Sequence, residues 1–288
     1  MKLSMSKAPA FQLPVRVRQA PPFLLQTWQR SQLLRSEPAR QPTFRLCYFS
    51  CHSYFAYLYC ALHSLVETVK DVKYEVLVFN DNDMPISEAQ ADVLRALIPG
   101  LRVIPWPKSM GWGAEQISWI WKAYALAIEG AHEDDIVARV DSDVFFFNNR
   151  IFRAVERSDA DFIGDGHFVD FEYCQGGAYF FRVHAARKVL GLLQNNELPA
   201  LLKDGNVGVE DMAAMYFAKR LALKVWMTWF MMYPDELRNA GGLTAWQRFK
   251  FSCLHFVSKN KGGMIDAYLK DVLPADQRLA FTSTLATP

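Results

Sequence analysis

Strand-like and helix-like segments alternate along the first half of this 288-residue chain, and this alternation constrains its fold more than any other feature. Short apolar runs between turn residues predict strands, and longer runs with apolar residues every three or four positions predict helices. Strand, helix and strand in succession form a right-handed crossover between parallel neighbours. We therefore predict an open α/β sheet with strands at 44–50, 74–80, 101–106 and 135–143 and helices at 54–69, 87–98 and 116–130.

The second half is less regular and predicts a mixed sheet. Helices are expected at 150–157, 184–194 and 209–223, and strand-like runs at 160–166, 176–183, 224–232 and 251–257. We expect a single α/β domain, with a mixed and mostly parallel central sheet, over residues 44–270. A proline-containing leader at 1–43 precedes this domain, and a C-terminal tail at 271–288 follows it.

The composition excludes several classes of function. The formal net charge is +2 and there is no dense basic stripe, which argues against nucleic acid as a partner. No apolar run reaches the roughly 18 residues of a membrane-spanning helix, and the N-terminus lacks the apolar core of a signal peptide. We expect a cytoplasmic protein, whose mildly basic first 43 residues allow peripheral contact with an anionic membrane surface. Five cysteines without a framework spacing predict reduced, mostly buried thiols.

Two carboxylates end the fourth predicted strand, Asp141 and Asp143 in the run IVARVDSDVFFF. Ligands of open α/β sheets bind beyond the carboxyl ends of the strands, where this pair is expected to lie. Two ionised carboxylates this close repel each other unless a cation lies beside them, and apolar neighbours solvate them poorly. The pair predicts a divalent metal that holds phosphate oxygens. The alternative is a turn in which one aspartate is a cap and the other is solvated.

This Asp-x-Asp motif resembles that of the nucleotide-sugar glycosyltransferases with the GT-A fold, in which a metal bridges the motif and the donor diphosphate. The later run LHFVSKNKGG resembles the His-Phe-x-Gly-x-x-Lys segment of the family-8 glycosyltransferases, which include glycogenin and bacterial lipopolysaccharide hexosyltransferases. His255, Phe256 and Lys261 match that segment, and Ser258 departs from it by replacing the glycine. The resemblance implies that His255 completes the metal site and Lys261 contacts the diphosphate. The alternatives are a core histidine and a surface lysine.

Two predicted helices carry further resemblance to family 8. Tyr54 precedes Ser64 and Leu65 with the family's spacing, which implies that the Tyr54 ring stacks on uracil rather than filling the core. Lys122 stands 19 residues before Asp141, where the family often has a basic residue beneath the metal and the diphosphate. The alternative for Lys122 is a solvated helix surface.

The resemblance implies a UDP-sugar as donor and Mn²⁺, or alternatively Mg²⁺, as the metal. Two carboxylates and one imidazole suit either ion, with Mn²⁺ preferred because of the nitrogen ligand. The expected partners are the nucleotide-sugar donor and a glycan or other hydroxyl acceptor, while the donor sugar and the oligomeric state are left open. The candidates to grip the base and the ribose are Tyr54, Ser50, Asn80–Asp81 and Ser142.

Two short motifs are candidates to hold the sugar. In the first, Gln175 precedes Gly176 and Gly177, which would let the backbone approach the sugar or would form a strand bulge. In the second, the candidate catalytic acids Glu210 and Asp211 begin a helix where family 8 commonly has Asp-Gln. Glu-Asp instead resembles the inverting enzymes of the fringe and β-1,3-galactosyltransferase kind, whose second acid is the base. Asp211 is therefore a general base or an orienting group; the alternative is a pair of acids favoured by the helix dipole.

Two other functions fit parts of the chain. The Asp-x-Asp motif and the run GDGHFVD resemble elements of haloacid-dehalogenase-type phosphatases, although the short stretch between them leaves no room for that family's other motifs. A non-catalytic carbohydrate-binding or scaffold protein would use the eight tryptophans. Metal-dependent UDP binding separates a glycosyltransferase from the scaffold, and phosphatase activity separates it from the dehalogenase type.

Overall fold

The computed structural model describes residues 40–109, 113–168, 172–232, 245–255, 262–271 and 273–287. Residues 1–39 of the predicted leader lie outside these ranges, and so does Lys261. The described residues form a seven-stranded sheet between two layers of helices, with a three-stranded sheet beside it. The predicted mixed α/β fold is confirmed.

The first half contains the predicted alternation of strands and helices. The second helix begins with the expected cap, because the Ser87 side chain accepts from the Gln90 N–H and the Gln90 side chain accepts from the Ser87 N–H. The seven elements are β1 (Thr43–Ser50), α1 (Phe55–Thr68), β2 (Lys73–Asn80), α2 (Glu88–Leu97), β3 (Arg102–Pro105), α3 (Glu115–Ala127) and β4 (Ile136–Val140).

The parallel strands β1, β2 and β4 bring their carboxyl ends to one edge of the sheet. β1 is central, with β2 on one side and β4 on the other, and β3 continues the sheet beyond β2. The chain therefore leaves β1 toward one side and later returns to pair on the opposite side, which makes a topological switch point. A ligand site is expected where β1 and β4 end.

The second half adds antiparallel strands to the large sheet and builds the small one. β7 is antiparallel to both β4 and β6, and β8 is parallel to β6. In the small sheet, β10 is antiparallel to β5 and parallel to β9. The elements are β5 (Val144–Phe146), α4 (Arg150–Arg157), β6 (Phe162–Phe168), β7 (Glu172–Arg182), α5 (Val183–Gln194), α6 (Leu198–Asp204), α7 (Glu210–Arg220), β8 (Val225–Thr228), β9 (Met231–Met232), α8 (Ala245–Lys250), β10 (Cys253–His255), α9 (Gly262–Asp271) and α10 (Arg278–Leu285).

The run 224–232 was expected as one strand, and the structure divides it between the two sheets. β8 belongs to the large sheet and β9 to the small one. The buried carboxylate of Asp165 accepts hydrogen bonds from the N–H groups of Phe230 and Met231, at 2.8 and 2.7 Å. These donors are turned to a side chain rather than to a neighbouring strand, and the chain therefore changes sheets at this point.

Both faces of the large sheet are buried. In β1, Phe44, Leu46 and Tyr48 pack toward the layer that contains α1 and α2, whereas Cys47 packs toward the layer that contains α3, α5 and α7. Successive side chains of a strand point to opposite faces, so an almost continuous apolar strand fills two cores. This explains why the strand lacks the polar alternation of a half-exposed sheet.

The C-terminal helices lie against α1. The Phe281 ring is buried, with its centroid 5.0 Å from that of Tyr59 and 4.9 Å from that of His63. The Tyr268 hydroxyl is 2.7 Å from His63 Nδ1. Residues 278–285, which fall in the predicted tail, thus form a helix packed on the first helix of the domain.

None of the helices within the described ranges combines the length and the apolar character needed to cross a bilayer. All five cysteines are free thiols, as expected, and four of them are buried. Burial raises the pKa of Cys47 and Cys60 well above the ordinary thiol value, so these two are protonated core residues.

Candidate functional site

The three predicted metal ligands meet at the switch point of the sheet. A tight turn follows β4, in which the Val144 N–H donates to the Asp141 carbonyl at 3.0 Å. The antiparallel pairing of β5 with β10 then places His255 opposite Val144, next to Asp143. The Nε2 atom of His255 lies 3.6 Å from Asp141 Oδ2 and 3.5 Å from Asp143 Oδ1. Two distant segments of the chain therefore bring together two carboxylates and one imidazole.

These residues fit a divalent cation. One ligand atom from each of Asp141, Asp143 and His255 lies within 4.8 Å of the others, so a single ion could contact all three. Asp143 and His255 are buried, which removes the water that would otherwise screen two close carboxylates. Oxygen ligands with one imidazole nitrogen suit Mn²⁺ or Mg²⁺.

The glycine pair of β7 lies against this group of ligands. A Cβ atom at Gly177 would lie 2.3 Å from Nδ1 of His255, so only glycine leaves room for the imidazole. The Gly177 carbonyl also accepts from the Asp141 N–H at 2.8 Å, and its N–H donates to the Gln175 side chain at 2.8 Å. At Gly176 a Cβ atom would lie 3.5 Å from Asp211 Oδ2. Gly177 therefore makes room for the imidazole, whereas Gly176 lies beside the predicted catalytic acid.

A pocket of about 350 Å³ opens around the three ligands. Its volume is at the lower end of the range for small-molecule sites. Most of the predicted site residues line it, so the fold brings the separate motifs together in one place. The predicted residues on its wall are Ser50, Tyr54, Asp81, Asp141, Ser142, Asp143, Gln175, Gly176, Gly177, Glu210, Asp211 and His255.

Tyr54 and Ser50 line the β1 end of the pocket. Tyr54 is 36% exposed, in a short turn just before α1. Ser50 is buried, and its hydroxyl has no hydrogen-bond partner among the described residues. A buried hydroxyl on a pocket wall without a partner is a ready contact for a polar ligand. Ser142 differs, because its hydroxyl donates to the Phe49 carbonyl at 2.9 Å and so ties the metal-ligand turn to β1.

At the end of β2, only one of the two candidate residues lines the pocket. The Asn80 side chain is turned to the Ile86 backbone, accepting from its N–H at 2.7 Å and donating to its carbonyl at 3.3 Å. The next residue, Asp81, lines the pocket. Its Oδ1 accepts from the Asp83 N–H at 2.8 Å, and its Oδ2 accepts from the Ser109 hydroxyl at 3.1 Å. Asn80 therefore shapes the loop, and Asp81 faces the ligand space.

Lys122 does not join the pocket. It is exposed on α3, and its ammonium lies 3.9 Å from the centroid of the Trp119 ring, in a cation–π contact. Lys261, the other predicted cation, lies outside the described residues. The basic group that the structure does place in the pocket is Arg139, from β4.

Arg139 joins the two acidic motifs. Its Nη2 forms an ion pair with Asp141 Oδ1 at 2.9 Å, and its Nη1 forms an ion pair with Glu210 Oε2. Glu210 Oε1 also accepts from the buried Tyr179 hydroxyl. Both oxygens of Glu210 are thus engaged on the protein side of the pocket.

Asp211 is the acid of the Glu-Asp pair with an altered ionisation. Burial raises the pKa of its carboxyl above the ordinary value, and repulsion from Asp141 acts in the same direction. The Met212 and Gly176 N–H groups and Arg139 partly oppose this rise. A carboxyl with a raised pKa at the start of a helix, on a pocket wall, has the properties of a general base.

The pocket as a whole is acidic. Five carboxylates line its described part, with the single guanidinium of Arg139 against them. A nucleoside diphosphate would bring further negative charge to these groups. A cation held by Asp141, Asp143 and His255 would offset this repulsion.

The sequence did not indicate Arg139 or Tyr179 as residues of the site. For Arg139 one signal was present, because it stands in the otherwise apolar strand IVARV and a buried arginine usually has an acidic partner. The identity of that partner, Glu210, depends on how α7 packs on β7, which the local pattern does not contain.

Comparison with known proteins places the fold. No protein-family model and no curated protein matches the chain. A crystal structure of the galactosyltransferase LgtC in complex with donor and acceptor sugar analogs has a TM-score of 0.52 at 14% identity, covering 81% of this chain and 99% of that one. The apo structure of the bifunctional glycosyltransferase WbbM has a TM-score of 0.52 at 11% identity, covering 87% of this chain and 53% of that one. The chain therefore has the mixed α/β fold of these GT-A-type glycosyltransferases.

Proposed function

We propose that this chain is a metal-dependent glycosyltransferase that moves a hexose from a UDP-sugar to a hydroxyl group of an acceptor such as a glycan. The observation that carries the proposal is the convergence of Asp141, Asp143 and His255 at the switch point of a glycosyltransferase-type fold. The similar LgtC protein was solved with donor and acceptor sugar analogs. An acidic pocket with a three-residue metal site suits a diphosphate whose charge a cation must balance.

Asp141, Asp143 and His255 would hold Mn²⁺ or, as the second choice, Mg²⁺. When bound, such an ion would supply the positive charge that neutralises the leaving diphosphate. Lys261, which follows β10 in the chain, is proposed to contact the same diphosphate. The protein's part is to fix the three ligands before the donor arrives, since preorganised charge is more effective than charge that must be rearranged.

The nucleoside is proposed to occupy the β1 side of the pocket. The half-exposed Tyr54 ring would stack on uracil, and the unpartnered Ser50 hydroxyl would bind the base or the ribose. Of the two candidates at the end of β2, Asp81 lines the pocket and would accept a hydrogen bond from a ribose hydroxyl. The buried Gln116 also has a side-chain oxygen without a partner among the described residues, on the wall near α3.

The sugar is proposed to lie between the ion and Asp211, beside Gln175 and Gly176. With a raised pKa, Asp211 can take the proton of the acceptor hydroxyl as that oxygen attacks the anomeric carbon and the bond to the diphosphate breaks. This route inverts the anomeric configuration. If Asp211 instead orients the donor sugar, the configuration is retained.

The first test is UDP release from a panel of UDP-sugars with Mn²⁺, with and without an added chelator. Asp143→Asn and His255→Ala should each lower turnover by about 100-fold or more, because each removes a group that places charge at the leaving diphosphate. Asp134→Asn and His132→Ala are matched controls, since both side chains are 54% exposed and lie outside the pocket. Full turnover in both site variants would contradict the assigned metal site.

The second test concerns Asp211. Asp211→Asn keeps the size of the side chain and should lower transfer by roughly 10²–10⁴-fold if Asp211 is a base. UDP binding in calorimetry should be unchanged, since the nucleoside contacts lie elsewhere. NMR of the product then separates the two roles, because an inverted anomer supports the base and a retained anomer supports the orienting group. Normal transfer by the variant would remove Asp211 from the mechanism.

The two rival functions predict other outcomes in the same assays. The run GDGHFVD would supply a phosphatase metal loop, but its Asp165 is fully buried and binds the backbone of Phe230 and Met231. Release of p-nitrophenol from p-nitrophenyl phosphate by the wild type but not by Asp141→Asn would support the phosphatase. Absence of metal-dependent UDP binding would support the scaffold.

A further inference from the structure

A buried chain of polar contacts leads from the core to one of the metal ligands. The Tyr124 hydroxyl donates to the Tyr179 hydroxyl at 3.0 Å, and the Tyr179 hydroxyl donates to Glu210 Oε1. Glu210 Oε2 forms an ion pair with Nη1 of Arg139, and Nη2 of Arg139 forms an ion pair with Asp141 Oδ1 at 2.9 Å. The chain thus runs from two buried tyrosines to the carboxylate of Asp141.

The two carboxylate oxygens of Asp141 have different neighbours. Oδ1 is bound to the guanidinium, and Oδ2 is the oxygen that lies 3.6 Å from Nε2 of His255. Rotating the carboxylate would break a close ion pair at the wall of the pocket. Only Oδ2 is therefore presented toward Asp143 and His255.

We infer that Tyr179, Glu210 and Arg139 form a positioning unit that fixes the Asp141 carboxylate so that it binds the metal ion through Oδ2. This inference rests on the proposed metal site and extends it to residues that do not touch the ion. Glu210, which the sequence suggested as catalytic, is then a positioning residue, with one oxygen on Tyr179 and the other on Arg139. Groups that orient metal ligands in this way commonly govern affinity for the ion.

Charge balance is the competing explanation for the same contacts. Arg139 lies between Asp141 and Glu210, so its positive charge could serve only to offset theirs. The two explanations differ for a lysine at this position. An ammonium keeps the charge, but it lacks the rigid fork with which a guanidinium holds two carboxylates at once.

The experiment titrates Mn²⁺ into the metal-free protein by calorimetry, without donor. Tyr179→Phe removes the hydroxyl that holds Glu210 and changes no formal charge. We expect its Mn²⁺ affinity to fall about 10- to 100-fold, as for other residues that orient metal ligands. Tyr124→Phe is the matched control, because it also removes one buried hydroxyl, one bond further from Glu210. Its affinity should stay within about threefold of the wild type, although both variants lose a buried hydrogen bond and should melt earlier.

Arg139→Lys completes the test and should weaken Mn²⁺ binding about 10-fold or more, because the point charge cannot hold both carboxylates. Wild-type affinity in Tyr179→Phe, equal losses in the two tyrosine variants, or wild-type affinity in Arg139→Lys would each overturn the inference. These are binding measurements and need no donor. A protein that gives the expected pattern but turns over no UDP-sugar would contradict the proposed function alone, and a wild type that binds no Mn²⁺ would overturn both.

Discussion

At the scale of single residues, the site depends on the absence of a side chain at Gly177. The imidazole of His255 occupies the space where a Cβ atom of residue 177 would stand. From the sequence, Gly177 was a candidate for a close approach to the sugar, with a strand bulge as the alternative. In the structure, Gly177 lies in β7 where the pairing with β6 shifts register, and it closely approaches the imidazole of His255.

Gly177→Ala should displace the His255 ring, because the new methyl group would lie 2.3 Å from Nδ1. We expect a loss of about 1–3 kcal/mol in the free energy of unfolding, as is usual for overpacking, together with greatly weakened Mn²⁺ binding. Urea unfolding and calorimetry measure the two effects. Gly191→Ala in α5 is the control, since no atom lies within 4 Å of its added Cβ and alanine favours a helix. Unchanged Mn²⁺ binding in Gly177→Ala would contradict the placement of His255.

The residues that the sequence predicted best were those in motifs that carry their own chemistry. Asp141 and Asp143 were indicated by the proximity of their carboxylates and His255 by its match to a family motif, and the structure brings the three together. Lys122 was less predictable, because a helix offers a lysine several directions and the ring of Trp119, one turn earlier, attracts it. Asn80 does not line the pocket, because its side chain binds the Ile86 backbone in the following loop. The strand pattern in the sequence does not show this contact.

At the scale of elements, α1 holds the edge of the small sheet. The Phe146 N–H of β5 donates to the buried Ser64 hydroxyl at 2.9 Å, and that hydroxyl donates to the Ala61 carbonyl at 2.6 Å. A side chain of the helix thus satisfies a backbone donor of the edge strand, which would otherwise be buried without a partner. Ser64 was noted in the sequence only for its spacing from Tyr54, and the structure supplies a physical reason for the residue.

Ser64→Ala should lower the free energy of unfolding by about 1–3 kcal/mol, because the Phe146 N–H would remain buried without its acceptor. Urea unfolding monitored by tryptophan fluorescence measures this change. Ser118→Ala is the control, since this helical serine bonds only the Glu115 carbonyl of its own helix, at 3.5 Å. Equal stability of the two variants would show that the Ser64 contact contributes little.

Local patterns located most elements but did not show where a run changes partners. The strand-like run 224–232 is interrupted after Lys224 only by the polar Thr228, yet it is shared between two sheets. The cause is a carboxylate some sixty residues away along the chain, Asp165, that binds two of its N–H groups. Contacts of this kind are set by tertiary packing and have no local signal.

At the scale of the whole molecule, one carboxylate ties the start of the described chain to the middle of the sheet. Asp135 accepts from the guanidinium of Arg40 at 2.6 Å, from the Thr43 N–H at 2.9 Å and from the His132 N–H at 3.1 Å. Burial alone would raise the pKa of Asp135, but these three donors lower it below the ordinary value of 3.8. The ionised form therefore stabilises the fold above that pH, and this contribution is lost as the pH falls through the lower folded value.

Asp135→Asn should lower the free energy of unfolding at pH 7 by roughly 1–3 kcal/mol, because bonds to a charged acceptor are replaced by weaker ones. The difference from the wild type should shrink below about pH 4, where the wild-type carboxylate also becomes protonated. Urea unfolding across this pH range measures both quantities. Asp134→Asn, whose side chain is 54% exposed, is the neighbouring control. A difference that does not depend on pH would exclude the ionised Asp135 as its source.

The overall fold was easier to predict than the pairing of β5 with β10. The crossover pattern of the first half predicted a parallel sheet, because handed βαβ units leave few arrangements. The pairing of β5 with β10 had no comparable signal, since each strand has only three residues and many residues separate them. Only the match of His255 to a known motif indicated that these two segments would meet.

That pairing also has a consequence for the order in which the protein is made. The ribosome releases Asp141 and Asp143 well before His255, because β4 and β5 precede β10 in the chain. A nascent polypeptide, or one terminated before β10, therefore carries both carboxylates without the imidazole. The complete proposed set of metal ligands is present only in molecules whose translation has passed β10.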